Sequence, residues 1–232
     1  RESEEVVRRL RSLRQAGGAF LLVLGASGCG KSSLLRAGVV PQLRQKRECE
    51  SWLVLDPFRP GAEPFGELGD VLASAFEAVG EAPPEPPYTA AEFRGLLRQL
   101  RRKSGHREAS VVVPIDQFEE LLLVQPSRDE VREGGGADQF LSLLAELVGH
   151  ADGLVLVLVL GTMRSDFLGA FQLHPSDLGQ RVDQFLLGPL NTEGILQVIE
   201  GPARRVGLKL ETGLGLRLEK DTSTGDALPL LA

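Results

Sequence analysis

Cysteine, histidine and aromatic residues are scarce in this 232-residue chain, and its hydrophobic runs are short. The two cysteines, Cys29 and Cys49, form neither a disulfide framework nor a metal-ligand spacing, and the three histidines are scattered. The longest purely aliphatic run, Leu154 to Leu160, has seven residues, whereas a helix that spans a bilayer needs about 20. These absences exclude a disulfide-rich secreted domain and a structural zinc site. They favour a soluble protein in a reducing, cytoplasmic setting.

Positive charge is also in deficit, since 26 Lys and Arg residues face 32 Asp and Glu residues and leave a net charge of −6. Proteins that bind nucleic acid usually carry a basic footprint, so no nucleic-acid or membrane partner is expected. The arginines do gather in two helix-like stretches, which we interpret as solvated helix faces. These stretches contain Arg8, Arg9, Arg11 and Arg14, and Arg98, Arg101, Arg102 and Lys103.

Short aliphatic segments alternate with amphipathic helices along most of the chain. The predicted strands cover residues 19–24, 52–55, 110–115, 154–160 and 184–187. Their continuous apolar character is typical of parallel strands that are covered on both faces, which predicts an α/β domain over residues 1–190. Two further helices, at about 192–206 and 211–221, predict the start of a small helical domain over 191–232. Pro114 falls inside the third strand and predicts a local bulge there.

Residues 25–32 match the pattern G-x-x-x-x-G-K-[ST] in full, with a strand before and a helix after. Glycines let a loop wrap closely around phosphate, so that backbone N–H groups and the positive end of the helix face the oxygens. Lys31 is predicted to reach the β- and γ-phosphates, and the Ser32 hydroxyl to hold Mg²⁺. The predicted nucleotide-binding residues are Gly25, Ala26, Ser27, Gly28, Cys29, Gly30, Lys31, Ser32 and Ser33.

An acidic residue, Asp116, ends the apolar third strand about 85 residues after this loop. A carboxylate at such a strand end is suited to the Mg²⁺ shell beside the loop serine, so Asp116 is predicted as a second metal-site residue. Many ATPases carry a water-activating glutamate directly after this aspartate, but this chain has Gln117. Three residues therefore stay open for positioning the water: Gln117, Glu119 and Glu120.

Arg164 follows the fourth predicted strand, in the segment Gly161 to Phe167. In an open α/β sheet the ligand crevice lies beyond the carboxyl ends of the strands, so Arg164 is predicted to contact the γ-phosphate and to distinguish ATP from ADP. The alternative for Arg164 is an ion pair with Asp166 at the surface. Asp166 itself is expected to cap the next helix or to orient Arg164.

Together these features resemble the STAND class of P-loop ATPases, and most of all the bacterial novel STAND NTPases of the first type. The matching segments are VLGASGCGKSSLLRAGVVPQLR (23–44), RPG (59–61), VVVPIDQFEELL (111–122), TMRSDFLG (162–169) and LLGPLNTEGILQVIEGPARRVGL (186–208). The resemblance implies a five-stranded parallel sheet in the order 5-1-4-3-2. It also places Pro229, within GDALPL, near the nucleotide.

The resemblance implies a switch that is controlled by ATP and ADP, hydrolyses ATP slowly with Mg²⁺, and self-associates in the ATP state. Such a module sits between effector and repeat-built sensor domains in signalling or defence proteins, so this chain is expected to be a segment of a longer protein. Two alternatives stay open, an AAA+-like ATPase and a nucleotide-binding scaffold without useful hydrolysis. A small-molecule kinase shares the loop but needs an acceptor pocket and an arginine-rich lid, and the sequence shows no convincing one.

Overall fold

Five parallel strands form one sheet at the centre of the structure. In the computed structural model the described residues are 1–17, 20–45, 52–86, 89–123, 136–149 and 155–189, with scattered residues between 194 and 217. The order across the sheet is β2-β3-β4-β1-β5 and every neighbouring pair is parallel, which confirms the predicted order 5-1-4-3-2. The strands are β1 (Phe20–Gly25), β2 (Trp52–Val54), β3 (Ser110–Ile115), β4 (Val157–Arg164) and β5 (Asp183–Leu186).

Within the described residues up to 189, seven helices of four or more residues lie on the two faces and at the edges of this sheet. Helix α2 covers residues 31–44 in three contiguous segments, of which the middle one, Leu34–Val39, is π-helical. A capping box begins α4, because Thr89 and Glu92 exchange side-chain and backbone hydrogen bonds. The other helices are α1 (Glu2–Ala16), α3 (Pro64–Glu77), α4 (Ala90–Lys103), α5 (Glu120–Leu123), α6 (Ala137–Gly149) and α7 (Leu168–Gln172).

Alternate side chains of β1 enter two separate apolar cores. Phe20, Leu22 and Leu24 pack into one core, whereas Leu21 and Val23 pack into the other, and each is at most 3% exposed. This explains why the strand is aliphatic at successive positions, since neither face meets water. The helices divide accordingly into a layer of α1 and α2 and a layer of α3, α4 and α6. Their core residues include Val6, Leu10, Leu35 and Val39 in the first layer, and Leu68, Leu97 and Phe140 in the second.

The edge strand β5 is joined to α1 by one arginine. Arg9 donates from Nη1 to the carbonyl oxygen of Gln184 at 2.9 Å and to Oδ1 of Asp183 at 3.4 Å. Its guanidinium also lies 5.6 Å from the centre of the Phe185 ring. At least one arginine of the first basic cluster is therefore a structural contact rather than a member of a solvated face.

The predicted limits of the fourth strand are wrong. The strand begins at Val157 and continues to Arg164, because Gly161, Thr162 and Met163 pair in register with the last residues of β1. Pairing with a neighbour extends the strand beyond its aliphatic run, which a hydrophobicity pattern does not reveal. As a result Arg164 is the last residue of β4 and Thr162 lies within the sheet.

The bulge expected at Pro114 is also absent, since Val111 to Ile115 pair continuously with Val157 to Gly161. The carbonyl oxygen of Pro114 accepts from the N–H of Phe58 at 3.3 Å, on the side of β2. A residue's N–H and C=O point to the same side of a strand, so the donor that proline lacks faces the chain beyond the end of β2. No ladder bond to β4 is lost.

Most of the region after residue 190 lies outside the described residues. This applies to Pro229 and to the greater part of the two helices predicted at 192–206 and 211–221. The boundary between the domains 1–190 and 191–232 therefore stays a prediction. Within the described ranges, no helix has the length and apolar composition that a bilayer crossing requires.

Candidate functional site

The predicted phosphate loop connects β1 with α2. Gly28 and Gly30 have left-handed backbones, with φ of 71° and 93°, which glycine adopts without steric penalty. Lys31 begins the helix, and its Nζ donates to the carbonyl oxygens of Gly25 at 2.9 Å and Ala26 at 2.6 Å. The ammonium group is thus held against the first two residues of the loop.

The start of the loop is packed too tightly for any residue but glycine. A Cβ at Gly25 would lie 2.9 Å from the carbonyl oxygen of Leu187 and 2.5 Å from Sγ of Cys29. Cys29 is itself buried, and its Sγ lies 3.9 Å from Nζ of Lys31. By contrast, Ala26, Ser27 and Ser33 are exposed.

Asp116 follows β3 and is the centre of the site. Its side chain is fully buried, and its Oδ1 accepts from the hydroxyls of Ser32 at 2.8 Å and Thr162 at 2.7 Å. Its Oδ2 lies 3.2 Å from Nε of Arg36 and 3.9 Å from Nε of Arg59. Burying an ionised carboxylate is costly unless it is paired, and these four groups supply the pairing. The structure therefore brings together Ser32 and Asp116, which the sequence predicts as the metal residues.

Thr162 also sets the backbone that follows Asp116. Its Oγ1 accepts from the N–H of Gln117 at 3.0 Å, and its carbonyl oxygen accepts from the N–H of Phe118 at 2.8 Å. Gln117 has a φ of 56°, a left-handed conformation that is unusual for a residue other than glycine. The bonds to Thr162 hold this turn in place, and with it the two glutamates that follow.

Those two glutamates have different environments. Glu120 accepts at Oε2 from the N–H of Gly61 at 3.0 Å, so it holds the turn after Arg59. Glu119 is only 7% exposed, and its Oε2 accepts from the N–H of Arg164 at 3.3 Å. Burial raises the pKa of the Glu119 carboxyl above its ordinary value of 4.5, against the opposing effect of backbone N–H donors such as that of Arg164.

Arg164 forms an ion pair with Asp166 at the surface. Its Nε and Nη2 donate to the two carboxylate oxygens at 3.1 and 2.6 Å, and its guanidinium lies 5.3 Å from the centre of the Phe167 ring. The hydrogen bonds from Arg164 lower the pKa of Asp166. The contact of Arg164 with a γ-phosphate stays a prediction, and it requires the guanidinium to exchange partners.

Three residues of the site are missed by the sequence reasoning: Arg36, Arg59 and Thr162. All three lie inside segments that carry the resemblance, yet their residue type alone assigns them no role. The direction of an arginine side chain depends on tertiary packing. Thr162 has a usable signal, because a polar residue near the end of a strand beside β3 is expected to meet Asp116.

The donor set around Asp116 suits a hard cation that keeps most of its water. No cluster of three or more His, Cys, Asp or Glu side chains able to hold a metal occurs in the described part of the chain. Mg²⁺ in nucleotide sites does not need one, because it takes one or two protein oxygens and completes its shell with phosphates and water. Ser32 and Asp116 fit that requirement.

Comparison with known proteins agrees with this geometry. The sequence profile of the novel STAND NTPase 1 family matches residues 1–232. The chain belongs to this family. It is therefore a nucleotide-binding P-loop NTPase. No curated protein matches the chain.

Solved structures that resemble this STAND NTPase are P-loop ATPases of low sequence identity. A Walker-type ATPase of Pyrococcus abyssi superposes with a TM-score of 0.61 at 20% identity, over 98% of this chain and 65% of its own. The Aeropyrum pernix ORC2 protein with ADPNP and ADP gives 0.62 at 16% identity, over 97% and 58%. Drosophila ORC bound to DNA gives 0.58 at 16%, over 100% and 52%. At these identities the likeness concerns the fold alone, and the chain spans about half to two thirds of each of these structures.

The raised pKa of Glu119 predicts a specific pH dependence of stability. The folded protein holds this proton to higher pH than the unfolded chain, so the associated stability is complete below about 4.5 and is lost as pH rises through the folded pKa. Glu119→Gln lacks the ionisation. Its free energy of unfolding relative to the unmodified protein should therefore rise from pH 4.5 towards neutrality, as measured by urea denaturation at several pH values.

The exposed Glu67→Gln is the control for the loss of one negative charge. A difference between Glu119→Gln and the unmodified protein that does not change with pH would contradict the assignment.

Proposed function

We propose that this NTPase is a molecular switch that binds ATP and ADP in the β1–α2 loop and hydrolyses ATP slowly with Mg²⁺. The observation that carries the proposal is the hydrogen bond of 2.8 Å between Ser32 and Asp116. It joins the first turn after the loop to the end of β3, at the carboxyl edge of the sheet. Family membership supports the nucleotide, and the resemblance supports the switch.

Binding requires Lys31 to change partners. Its ammonium now contacts two carbonyl oxygens of the loop, and we infer that phosphate oxygens replace one or both when a nucleotide binds. Ser32 and Asp116 would hold Mg²⁺, which neutralises phosphate charge during the reaction. Arg36 and Arg59 neutralise the charge of Asp116 in this structure. A Mg²⁺ ion bound at Asp116 would therefore compete with these two guanidinium groups.

Substitution of Lys31 tests the binding site. Lys31→Ala should weaken ATP and ADP binding about tenfold to a hundredfold, because a charge-assisted contact contributes about 1.5–3 kcal/mol. Titration with fluorescent nucleotide analogues measures the effect. Lys103→Ala is the matched control, since Lys103 lies at the end of α4 and pairs with Glu81, in the segment that follows α3. Unchanged affinity in Lys31→Ala would refute the loop as the phosphate site.

Arg164 is proposed to report the γ-phosphate. A switch needs a contact that distinguishes its two ligands, and a guanidinium at the end of β4 would touch a group that ADP lacks. The ion pair with Asp166 supports this role, because it is a partner that a phosphate of higher charge can replace. The backbone N–H of Arg164 also donates to the carboxylate of Glu119. A movement of Arg164 would therefore change the position of Glu119, one of the candidates for positioning the water.

Arg164→Ala should weaken ATP binding about thirtyfold, equivalent to about 2 kcal/mol, and leave ADP binding almost unchanged. Asp166→Asn removes the competing carboxylate charge and should not weaken ATP binding. Calorimetric titration of both nucleotides against each variant makes the comparison. Equal losses of ATP and ADP affinity in Arg164→Ala would assign it a general phosphate or structural role.

Glu119 is proposed to activate the attacking water. Its carboxylate would take a proton as the water oxygen attacks the γ-phosphorus and the bond to ADP breaks, giving ADP and phosphate. The raised pKa favours this role, since a stronger base accepts the proton more readily at neutral pH. Glu120 is engaged with Gly61, and the Gln117 backbone is engaged with Thr162.

Glu119→Gln should lower the single-turnover rate of ATP hydrolysis about a hundredfold or more, because general bases contribute factors of this size. Glu120→Gln is the matched neighbour, and its amide oxygen can still accept from Gly61, so it should keep most of the rate. The reverse pattern would assign the role to Glu120. No measurable turnover in the unmodified chain would favour the nucleotide-binding scaffold.

A second candidate, an AAA+-like ATPase that acts on DNA, is favoured by the fold similarity to Aeropyrum pernix ORC1 and Drosophila ORC, both of which are bound to DNA. The net charge of −6 and Gln117 in place of a glutamate after Asp116 weigh against it. Stimulation of hydrolysis by duplex DNA would distinguish the two.

The wider organisation also stays a proposal. It comprises self-association in the ATP state, effector and repeat-built sensor domains in the same protein, a cytoplasmic location, a helical domain over 191–232, and Pro229 near the nucleotide.

A further inference from the structure

Four arginines surround an open cavity of about 490 Å³ at the end of α4. Arg98, Arg101 and Arg102 come from the last turns of the helix, and Arg107 comes from the turn that leads to β3. A volume of this size accommodates a small organic ligand. Among the described residues that line the cavity, none carries a carboxylate, although acidic residues outnumber basic ones in the chain.

The cavity is an arranged feature of the fold. Arg101 is 7% exposed and donates from Nη2 to the carbonyl oxygen of Arg107, which fixes the turn against the helix. The N–H of His106 also donates to the carbonyl oxygen of Arg101 at 3.0 Å. Gly95 also lines the cavity, and a Cβ there would meet no atom within 4 Å. The arginines are thus presented on a preformed backbone.

Cations near a helix C-terminus often only complement the helix dipole. Other cations of α4 have partners in the fold: Lys103 pairs with Glu81 at 2.5 Å, and Arg94 donates to the carbonyl oxygen of Glu146 at 3.0 Å. Arg98, Arg102 and Arg107 are exposed, and no salt bridge to them is found within the described ranges. Arg98 lies a turn before the helix end and Arg107 lies beyond it, so the dipole does not explain their convergence.

We propose that this cavity binds a small ligand that carries several closely spaced phosphate groups. The guanidinium fork matches phosphate oxygens in pairs, and several forks around one cavity suit more than one phosphate. A local cluster of four arginines in a chain with a net charge of −6 favours a compact ligand over a nucleic-acid strand, which requires an extended basic surface.

The site is separate from the nucleotide loop. Arg107 lies shortly before the first residue of β3, whereas Asp116 directly follows its last residue. The two sites therefore lie at opposite ends of this strand. Six strand residues at about 3.3 Å each separate them by about 20 Å. Binding at the cavity therefore does not depend on Lys31 or on the proposed switch.

Calorimetric titration of the chain with inorganic tripolyphosphate, at an ionic strength of about 0.15 M, tests the proposal. Arg98→Gln/Arg102→Gln should weaken binding about a hundredfold, because each guanidinium that is removed should weaken it roughly tenfold. The control Arg8→Gln/Arg181→Gln removes two exposed arginines elsewhere and should bind as the unmodified chain does. Lys31→Ala should weaken phosphate binding at the nucleotide loop and should keep the binding that depends on Arg98 and Arg102. Unchanged unfolding midpoints would verify that the variants fold.

Four results would overturn the proposal. Equal affinities in the two double variants would remove the cavity as the site, and loss of binding in Lys31→Ala would assign the phosphates to the nucleotide loop. Tighter, Arg98- and Arg102-dependent binding of a single-stranded oligonucleotide would make the cavity a nucleic-acid site. In a parallel titration, orthophosphate should bind at least tenfold more weakly than tripolyphosphate, and equal binding would contradict a site for several phosphates.

Discussion

The buried carboxylate of Asp116 is the constraint on which the site depends. A charge withdrawn from water must be compensated by partners that are fixed in position. Here the hydroxyls of Ser32 and Thr162 and the guanidinium of Arg36 surround it, Ser32 and Arg36 from α2 and Thr162 from β4. The phosphate loop, α2 and β4 are thereby held in register with the end of β3. The geometry of the site is a consequence of satisfying one buried charge.

The cationic side chains of the site already have partners in the fold, so a ligand must replace those partners when it binds. Lys31 is bonded to loop carbonyls, Arg36 to Asp116, and Arg164 to Asp166. In the proposed switch, phosphate and metal replace these partners instead of filling an uncommitted site. Affinity is then the difference between the interactions formed and those broken, and only interactions that differ between ATP and ADP can shift the conformation. The bond between Glu119 and the backbone of Arg164 would couple ligand identity to hydrolysis.

Two groups of cationic side chains lie at the two ends of β3, and they differ in whether a carboxylate neutralises them. At its carboxyl end, the cations face a buried carboxylate and are neutralised by the fold. At its amino end, Arg98, Arg102 and Arg107 converge without a carboxylate among the described lining residues. The excess of acidic residues over the whole chain conceals this second region, because net charge reports a sum and a binding site depends on local arrangement.

The sequence by itself determined the class of fold, the phosphate loop and the pairing of that loop with Asp116. Hydrophobic periodicity and a motif with close steric requirements depend on neighbours along the chain, and these are visible in a sequence. The strand order came from the resemblance to a family, since composition does not specify it. Tertiary structure decided the extension of β4 through Thr162, the unbroken pairing at Pro114, and the different partners of Glu119 and Glu120. It also decided the approach of Arg36 and Arg59 to Asp116 and the convergence of arginines around the cavity. These features depend on which strand lies beside which and on where long side chains turn, and residues distant in sequence make that choice together.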